Sequence, residues 1–255
     1  MKLAVAGKGG SGKTSIAGTM ARLLARRGLG VLAIDGDSNP NLALTLGLPS
    51  EQANSVPTLP RDLMRRTESG VELTKSVDDV RSSHSLEGPD GTTLLVMAHP
   101  QPEEAGQGCL CGMHATVRTL IEALPDGERD VTILDTEASP EHLRRGTAKY
   151  ADLLVTVVEP YYKSLETGRR MAALATELGI ERVVLVANKI SDERELEAVR
   201  EFAGAHELEL VGVVPFDEGM TAAERAGVAP LDHDPEMPAV RAIDELAGEL
   251  VPVAA

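Results

Sequence analysis

The feature that most constrains the fold is a glycine-rich segment near the N-terminus, residues 7–15, which reads GKGGSGKTS. It matches the phosphate-loop pattern G-x-x-x-x-G-K-[ST]. The apolar run KLAVAG precedes it, and KTSIAGTMARLLARRG, with apolar residues at helical spacing, follows it. A loop between a buried strand and a helix is the context in which backbone N–H groups surround a phosphate. The sequence therefore predicts a phosphate loop in an α/β fold.

The rest of the chain alternates short apolar runs with helical patterns. After the first strand, the predicted strands are residues 30–37, 92–100, 130–139, 151–160, 182–190 and 208–217. Continuous apolar runs are typical of parallel strands that are covered on both faces. We therefore expect a doubly wound α/β fold with a mostly parallel sheet of seven or eight strands. Residues 1–255 are expected to form one P-loop ATPase domain, with an irregular insertion at about 48–90 and a short helix near 60–66.

Charge and hydropathy restrict the partners. The formal net charge is −15, which disfavours binding to nucleic acid or to anionic lipid. The sequence has no apolar stretch of the roughly 20 residues that a membrane span requires. The apolar run at the N-terminus is shorter than that of a secretory signal, so we expect a cytoplasmic protein.

The phosphate loop itself supplies the first set of candidate site residues. Its glycines allow backbone N–H groups to turn toward a phosphate, and the helix N-terminus adds a partial positive charge. Lys13 is placed to reach the β- and γ-phosphates, and the Thr14 hydroxyl is placed to bind Mg²⁺. ATP or ADP with Mg²⁺ is therefore the expected ligand. The predicted nucleotide-binding residues of the loop are Gly7, Gly9, Gly10, Ser11, Gly12, Lys13, Thr14 and Ser15.

Acidic residues end two of the predicted strands. Asp35 and Asp37 end the second strand, and Asp135 and Glu137 end the strand VTILDTE. Ligands in open α/β sheets lie at the carboxyl ends of the strands, so these acids should meet at the phosphate loop. Asp135 has the position of a Walker B aspartate that supports Mg²⁺. Asp37 is the candidate for orienting the attacking water. Acids that merely cap the following loops are the structural alternative.

The early lysine of the loop carries a family resemblance. GKGGSGKT resembles the deviant Walker A loop, K-G-G-x-G-K-[ST], of the SIMIBI-class ATPases that include the nitrogenase iron protein, MinD, ParA and the arsenite-pump ATPases. The resemblance implies that Lys8 crosses a homodimer interface to the partner's nucleotide. It also implies that Asn188, in VLVANK, contacts adenine, and that Pro215 and Asp217, in VPFDEG, close over the ring.

Within that family the sequence is most similar to the CooC-type ATPases, which insert nickel into carbon monoxide dehydrogenase. The stretches GCLCGMHATVRTLI and DTEASPEHLRRGTA are among those that carry the resemblance. It implies that Cys109 and Cys111 bind Ni²⁺ or Zn²⁺ between two subunits, and that the client is a nickel metalloenzyme. Two thiolates form half of a four-sulfur site, and a symmetric dimer supplies the other half. His114 is either a further ligand or a histidine that faces solvent.

Two alternatives stay open on the sequence. One is a ParA- or MinD-like switch in which the cysteines are incidental. The other is a redox protein with an iron–sulfur cluster bridging the dimer, although Ala138 lies where the nitrogenase iron protein needs a second cluster cysteine. Ser139 replaces the glycine that is usual in the family, which leaves the geometry near the γ-phosphate open.

Overall fold

The computed structural model describes residues 1–68, 70–99, 110–125, 127 and 130–252. Cys109 and most of the polar loop before it lie outside the described residues. The strands are β1 (Lys2–Gly7), β2 (Gly30–Gly36), β3 (Met64–Thr67), β4 (Gly70–Leu73), β5 (Leu86–Glu87), β6 (Thr93–Val96), β7 (Asp130–Thr136), β8 (Leu153–Val158), β9 (Arg182–Ile190) and β10 (Glu209–Pro215).

Helices connect these strands. They are α1 (Lys13–Arg26), α2 (Leu42–Thr45), α3 (Ser50–Ser55), α4 (Val77–His84), α5 (Cys111–Ala123), α6 (Glu141–Arg144), α7 (Tyr162–Glu177), α8 (Glu193–Ala205), α9 (Glu218–Ala226), α10 (Pro230–His233) and α11 (Pro238–Leu250). A short 3₁₀ turn, Pro89–Gly91, precedes β6. No helix among the described residues is both long and apolar enough to cross a membrane.

Within the residues that the structure describes, the main sheet has eight strands in the order β10-β9-β8-β1-β7-β2-β6-β5. Every neighbouring pair is parallel except β5 with β6. The predicted mostly parallel, doubly wound sheet is therefore confirmed. The short antiparallel β5 forms one edge of the sheet, and its two residues leave few exposed ladder groups for edge-to-edge association.

The core lies on both faces of the sheet. Along β1, successive side chains point to opposite faces, so Leu3 and Val5 belong to one buried cluster and Ala4 and Ala6 to the other. The first cluster includes apolar residues of α1 and α11, and the second includes those of α5 and α7. Because both faces are covered, β1 is buried along its whole length. This explains why the strands are continuous apolar runs.

The segment predicted as an irregular insertion contains a β-hairpin, and the short helix predicted near 60–66 is wrong. β3 pairs antiparallel with β4, with Met64 opposite Leu73 and Arg65 opposite Glu72. Thr119 of α5 lies 3.5 Å from the Met64 sulfur, measured from its hydroxyl oxygen. Pairing with a neighbouring strand and packing against α5 outweigh the local helical preference, because a helix as short as residues 60–66 is not stable by itself.

Candidate functional site

The phosphate loop connects β1 to α1, as predicted, and its turn depends on two glycines. Gly10 and Gly12 have φ angles of +83° and +89°, a region that side chains rarely adopt. A Cβ on Gly12 would also collide with the Asn188 amide. That amide nitrogen donates a hydrogen bond of 2.7 Å to the Ser11 carbonyl. The end of β9 thus holds the loop in its turned conformation.

Three charged groups meet where the loop enters α1. β1 and β2 both pair with β7, in a register that aligns Val5 and Asp35 with Asp135. The Lys13 ammonium lies 3.6 Å from Asp37 Oδ2 and 3.9 Å from Asp135 Oδ1. The Lys13 side chain is only 10% exposed, so these ion pairs are screened little by solvent. The structure therefore brings Lys13, Asp37 and Asp135 together as the sequence predicts.

The Asp135 carboxylate is suited to accept hydrogen bonds from water molecules around a magnesium ion. Both of its carboxylate oxygens are buried, and neither has a hydrogen-bond partner among the described residues. Burial raises the pKa of this carboxyl group, and the nearby Lys13 charge opposes the shift. A buried acceptor without a partner is costly, and water molecules around a cation would satisfy it. The adjacent Thr14 hydroxyl, 3.4 Å from Lys13 Nζ, is a hard oxygen of the kind that Mg²⁺ prefers as a ligand, and it would hold the ion together with the water molecules around Asp135.

The two acids that end β2 have different surroundings. Asp35 is fully buried and accepts backbone hydrogen bonds from Asp37, Asn41 and Leu42. Burial raises the pKa of Asp35, and these backbone donors oppose that shift. Asp35 therefore organises the loop that leads to α2. Asp37 is partly exposed and faces Lys13, so it is the acid of this pair that is open to a ligand.

Lys8, near the start of the phosphate loop, is partly exposed at the surface. Its ammonium is 3.3 Å from the Tyr161 hydroxyl and 5.5 Å from the centre of that ring. The same hydroxyl donates a hydrogen bond of 2.9 Å to Glu159. Glu159 also pairs with Lys189 at 2.9 Å, and Lys189 donates to the Gly10 carbonyl. This network joins the ends of β8 and β9 to the phosphate loop.

A cleft of about 580 Å³ extends from the phosphate loop toward α9 and α11, a volume suited to a small-molecule ligand. Of the residues predicted to bind nucleotide, Gly10, Gly12, Lys13, Thr14, Ser15, Asn188, Pro215 and Asp217 line it. Asp217 accepts hydrogen bonds from the backbone of Gly219 and Ala239, so its carboxylate also fixes the starts of α9 and α11. Phe216, which is 52% exposed, lines the same cleft and presents a ring suited to stacking on a base.

The start of α5 lies at the same edge of the sheet, beside the end of β7. Cys111 is exposed and is the first residue of α5, while Cys109 lies outside the described residues. His114, one turn further on, is fully buried, so the expectation of a solvent-facing histidine is wrong. Its Nε2 lies 3.6 Å from Glu137 Oε2, just beyond the end of β7. Within the described part of the chain, no group of three or more His, Cys, Asp or Glu side chains is arranged to hold a metal ion.

Several residues at the site were not identified from the sequence. Glu159 and Lys189 hold the phosphate loop, and Lys189 does so from a φ of +60°, unusual for a side chain of its size. An acid at the end of β8 is the same signal that identified Asp37 and Asp135. Ser139, which replaces the usual glycine, uses its hydroxyl to accept a hydrogen bond of 3.2 Å from the Glu141 backbone.

Comparison with known proteins agrees with this geometry. The sequence profile of the CobQ/CobB/MinD/ParA nucleotide binding domain matches residues 2–231. The chain is 36% identical over 244 residues to the carbon monoxide dehydrogenase accessory protein CooC of Rhodospirillum rubrum, covering 92% of this chain and 91% of that protein. It is 37% identical over 239 residues to an uncharacterized ATP-binding protein of Methanocaldococcus jannaschii, covering 89% and 90% of the two chains.

Among solved structures, the septum site-determining protein MinD of Pyrococcus horikoshii, in complex with Mg-ADP, has a similar fold. The TM-score is 0.76 at 19% identity, and the alignment covers 98% of this chain and 96% of that one. At this identity the likeness establishes the fold alone, and it is the MinD/ParA P-loop NTPase fold.

Proposed function

Because this chain belongs to the CobQ/CobB/MinD/ParA nucleotide-binding family and is a P-loop ATPase, we propose that it is an ATP-driven metal-delivery protein. Two copies meet around bound nucleotide and hold one Ni²⁺ or Zn²⁺ ion through Cys109 and Cys111 of each copy. The ion passes to a nickel enzyme of the carbon monoxide dehydrogenase type. This work takes place in the cytoplasm, where both thiols stay reduced.

One observation carries this proposal: the helix that begins at Cys111 starts at the edge of the sheet where the phosphate loop lies. Arg145 ties the two regions together, because its Nη1 lies 3.1 Å from His114 Nε2 of that helix and 3.4 Å from Glu137 Oε2. The similarity to the Rhodospirillum rubrum accessory protein covers 92% of this chain. A metal site beside a nucleotide site can respond to the state of the nucleotide.

The chemistry at the nucleotide is a phosphoryl transfer from ATP to water. Lys13 and the backbone N–H groups of the loop bind the phosphates and stabilise the negative charge that develops as the bond to the γ-phosphate breaks. Asp37, which faces Lys13 and is partly exposed, orients the attacking water. Thr14 and, through water, Asp135 would hold Mg²⁺, which would supply positive charge to neutralise the phosphates.

Lys8 contributes to the same reaction from the other subunit. Lys8 lies at the surface of the phosphate loop, where it is accessible to a second copy. Its ammonium contacts the hydroxyl and the ring of Tyr161. A cation supplied in trans stabilises the transition state only when two copies have closed. ATP occupancy and dimer closure are thereby linked, and closure changes the spacing of the four cysteines.

The metal is a cargo, and its binding follows from thiolate chemistry. The chain has two cysteines, so one copy supplies two of the four ligands that a closed Zn²⁺ or Ni²⁺ site requires. The partner supplies the other two across a two-fold axis. Binding deprotonates the thiols, so metal affinity should rise with pH. Cys111 is exposed at the start of α5, as a ligand shared between subunits must be.

Anaerobic titration of the reduced protein with Ni²⁺ and with Zn²⁺ tests the proposal. The titration is run without nucleotide, with ADP and with ATP, while thiolate-to-metal absorption and light-scattering mass are recorded together. We expect one metal ion for every two chains, thiolate absorption, and a mass shift from monomer to dimer. The Cys109→Ser, Cys111→Ser double variant should lose metal binding and metal-driven dimerisation, yet still bind ATP.

His206→Ala is the matched control, because His206 is exposed at the far end of α8 and its removal leaves both thiols in place. It should bind metal like the unchanged protein. Full metal uptake by the cysteine double variant contradicts the proposal. Dimerisation driven by ATP alone, without metal uptake, would instead favour a ParA- or MinD-like switch. A brown protein with visible absorption as isolated would favour a bridging iron–sulfur cluster.

A further inference from the structure

A partly buried polar cluster joins the loops at the phosphate site to the first turn of α5. The His114 ring has Nδ1 at 3.1 Å from the Thr147 hydroxyl and Nε2 at 3.1 Å from Arg145 Nη1. Arg145 Nη1 also lies 3.4 Å from Glu137 Oε2. Ser38, in the loop after β2, donates a hydrogen bond of 3.2 Å to the other Glu137 oxygen. We call this set, Ser38, Glu137, Arg145, His114 and Thr147, the His114 bridge.

The hydrogen bonds assign the tautomer of His114. The Thr147 hydroxyl donates to the His142 carbonyl at 2.9 Å, so it accepts a hydrogen bond from His114 Nδ1–H. Nε2 then carries the lone pair and accepts from the Arg145 guanidinium. Burial lowers the pKa of His114, which agrees with a neutral ring. Each side of the ring thus makes a hydrogen bond of defined direction, and the ring is held in one orientation.

The other end of the bridge lies against the nucleotide site. A Cβ built on Gly9 of the phosphate loop would lie 3.7 Å from Ala138 Cβ, so the residue after Glu137 packs beside the loop. Ser38 follows Asp37, which faces Lys13. If a γ-phosphate moves the loop after β2 toward itself, Ser38 is displaced, and if it moves the loop after β7, Glu137 is displaced. Glu137 is bonded to both Ser38 and Arg145, so a displacement of either loop reaches His114.

Packing on α5 extends the bridge. Arg118, one turn beyond His114 on the same helix, donates a hydrogen bond of 2.8 Å to the Arg145 carbonyl. Two successive turns of α5 are therefore fixed to the segment that follows β7. Cys111 lies one turn before His114, at the start of the helix. A shift of the segment after β7 would consequently move the helix end that carries the thiol.

We propose that His114 is a positioning residue, which transmits the state of the nucleotide from Glu137 to the start of α5 and so sets the position of Cys111. The inference rests on the proposed function and names the regulation of its metal site. His114 is not itself a metal ligand in this arrangement, because it is fully buried and both ring nitrogens are engaged. A signal that passes through packed, hydrogen-bonded groups of this kind amounts to a coupling free energy between two sites.

Hydrogen exchange of the full-length protein tests the inference without reference to metal. The His114 backbone N–H donates to the Leu110 carbonyl at 3.1 Å, and its exchange reports on the first turn of α5. It is measured with no nucleotide, with Mg·ADP and with a non-hydrolysable ATP analogue. We expect the ATP analogue to change the exchange rate by about fivefold or more, the lower end of usual coupling strengths. No nucleotide-dependent change in the unchanged protein would overturn the inference.

Two substitutions separate the two sides of the ring. His114→Asn keeps a donor near the position of Nδ1 and removes the acceptor that faces Arg145, so the nucleotide effect on α5 should fall below about twofold. His114→Gln places an amide oxygen near Nε2 and should restore part of the effect. If His114 only stabilised the fold, the two amide substitutions should change the nucleotide effect to the same extent. If His114→Asn keeps the full nucleotide effect, the inference is overturned.

Substitution of Glu137 gives a second route if His114→Asn does not fold, because the Glu137 side chain is 26% exposed and tolerates the change more easily. Glu137→Gln keeps an oxygen that can accept from Arg145, so it should keep most of the nucleotide effect on α5, whereas Glu137→Ala removes both bonds of Glu137 and should reduce it; retention of the full effect by Glu137→Ala would contradict the bridge. His206→Ala serves as the control and should behave as the unchanged protein does. The ratio of Ni²⁺ dissociation constants with and without the ATP analogue provides the second readout. Absence of Ni²⁺ binding would reject the metal function while the exchange result still decides the bridge.

Discussion

Replacing Gly12 by alanine, with Gly10→Ala as the matched control, tests how the phosphate loop is held. Both glycines have positive φ, and an alanine in that region costs about 1–2 kcal/mol. At Gly10, an added Cβ meets no atom within 4 Å, so this backbone cost should be the whole effect. At Gly12, the Cβ displaces the Asn188 amide, which then loses its bond to the Ser11 carbonyl.

The loss of that bond adds a second cost. A buried donor left without a partner costs about 1–3 kcal/mol, so Gly12→Ala should destabilise the protein by about 2–5 kcal/mol in total. Urea unfolding followed by far-ultraviolet circular dichroism measures the free energy of unfolding, since the chain has no tryptophan to serve as a probe. Binding of a fluorescent ATP analogue is measured on the folded variants. Gly12→Ala should bind the analogue more weakly than Gly10→Ala does.

A double-mutant cycle with Asn188→Ala isolates the contact. In the Asn188→Ala background the Cβ introduced by Gly12→Ala meets no amide, so the additional cost of this substitution should fall to that of Gly10→Ala. Equal stability of the two single glycine variants in the unchanged background would refute the reasoning. So would a Gly12→Ala cost that is the same with and without Asn188.

Three further predictions concern charge. Burial raises the pKa of Asp135 from 3.8 to about 7, so between those values the folded state binds more protons than the unfolded state does, and the free energy of unfolding should fall as pH rises. That slope reaches at most about 1.4 kcal/mol per pH unit for one proton, and Asp135→Asn should flatten it when urea unfolding is measured at several pH values. An unchanged slope would mean that another group binds the proton. Lys8→Ala should change the ATP dissociation constant of the monomer by no more than about threefold and lower the rate of phosphate release on the order of 10³-fold. Normal turnover that does not depend on protein concentration would exclude a role of Lys8 in trans. Arg22, which is 3% exposed, donates two hydrogen bonds of 2.6 and 2.7 Å to Asp232. Asp232→Ala should therefore lower the free energy of unfolding by about 1–3 kcal/mol, which is below the range for fully buried pairs because the Asp232 side chain is 40% exposed. An unchanged midpoint in urea unfolding would contradict this prediction.

Much of the fold was predictable because its signals are local. The phosphate-loop pattern lies between a strand and a helix as expected, and β9 has the predicted bounds, Arg182–Ile190. Each buried parallel strand is a continuous apolar run, so its position can be recognised without knowing its neighbours. The meeting of Asp37 and Asp135 at Lys13 also followed, because parallel strands bring their carboxyl ends to one edge.

The hairpin β3–β4 shows where local reasoning was insufficient. Its strands are four residues long and mostly exposed, so they carry neither a long apolar run nor a clear alternation. The segment is a strand because Met64 and its neighbours pair with Gly70–Leu73 and the hairpin lies against α5. Those partners lie at sequence separations that a local pattern does not register.

By itself, the sequence determined the phosphate loop, the succession of strands and helices, and the acidic residues at the ends of β2 and β7, because each depends on residues that are neighbours along the chain. The tertiary structure alone decided that Asp35 organises a loop while Asp37 stays open, and that Asn188 holds the phosphate loop. It alone placed His114 between Arg145 and Thr147. The physical reason is that burial and hydrogen bonding depend on groups brought together by folding, whatever their distance along the chain.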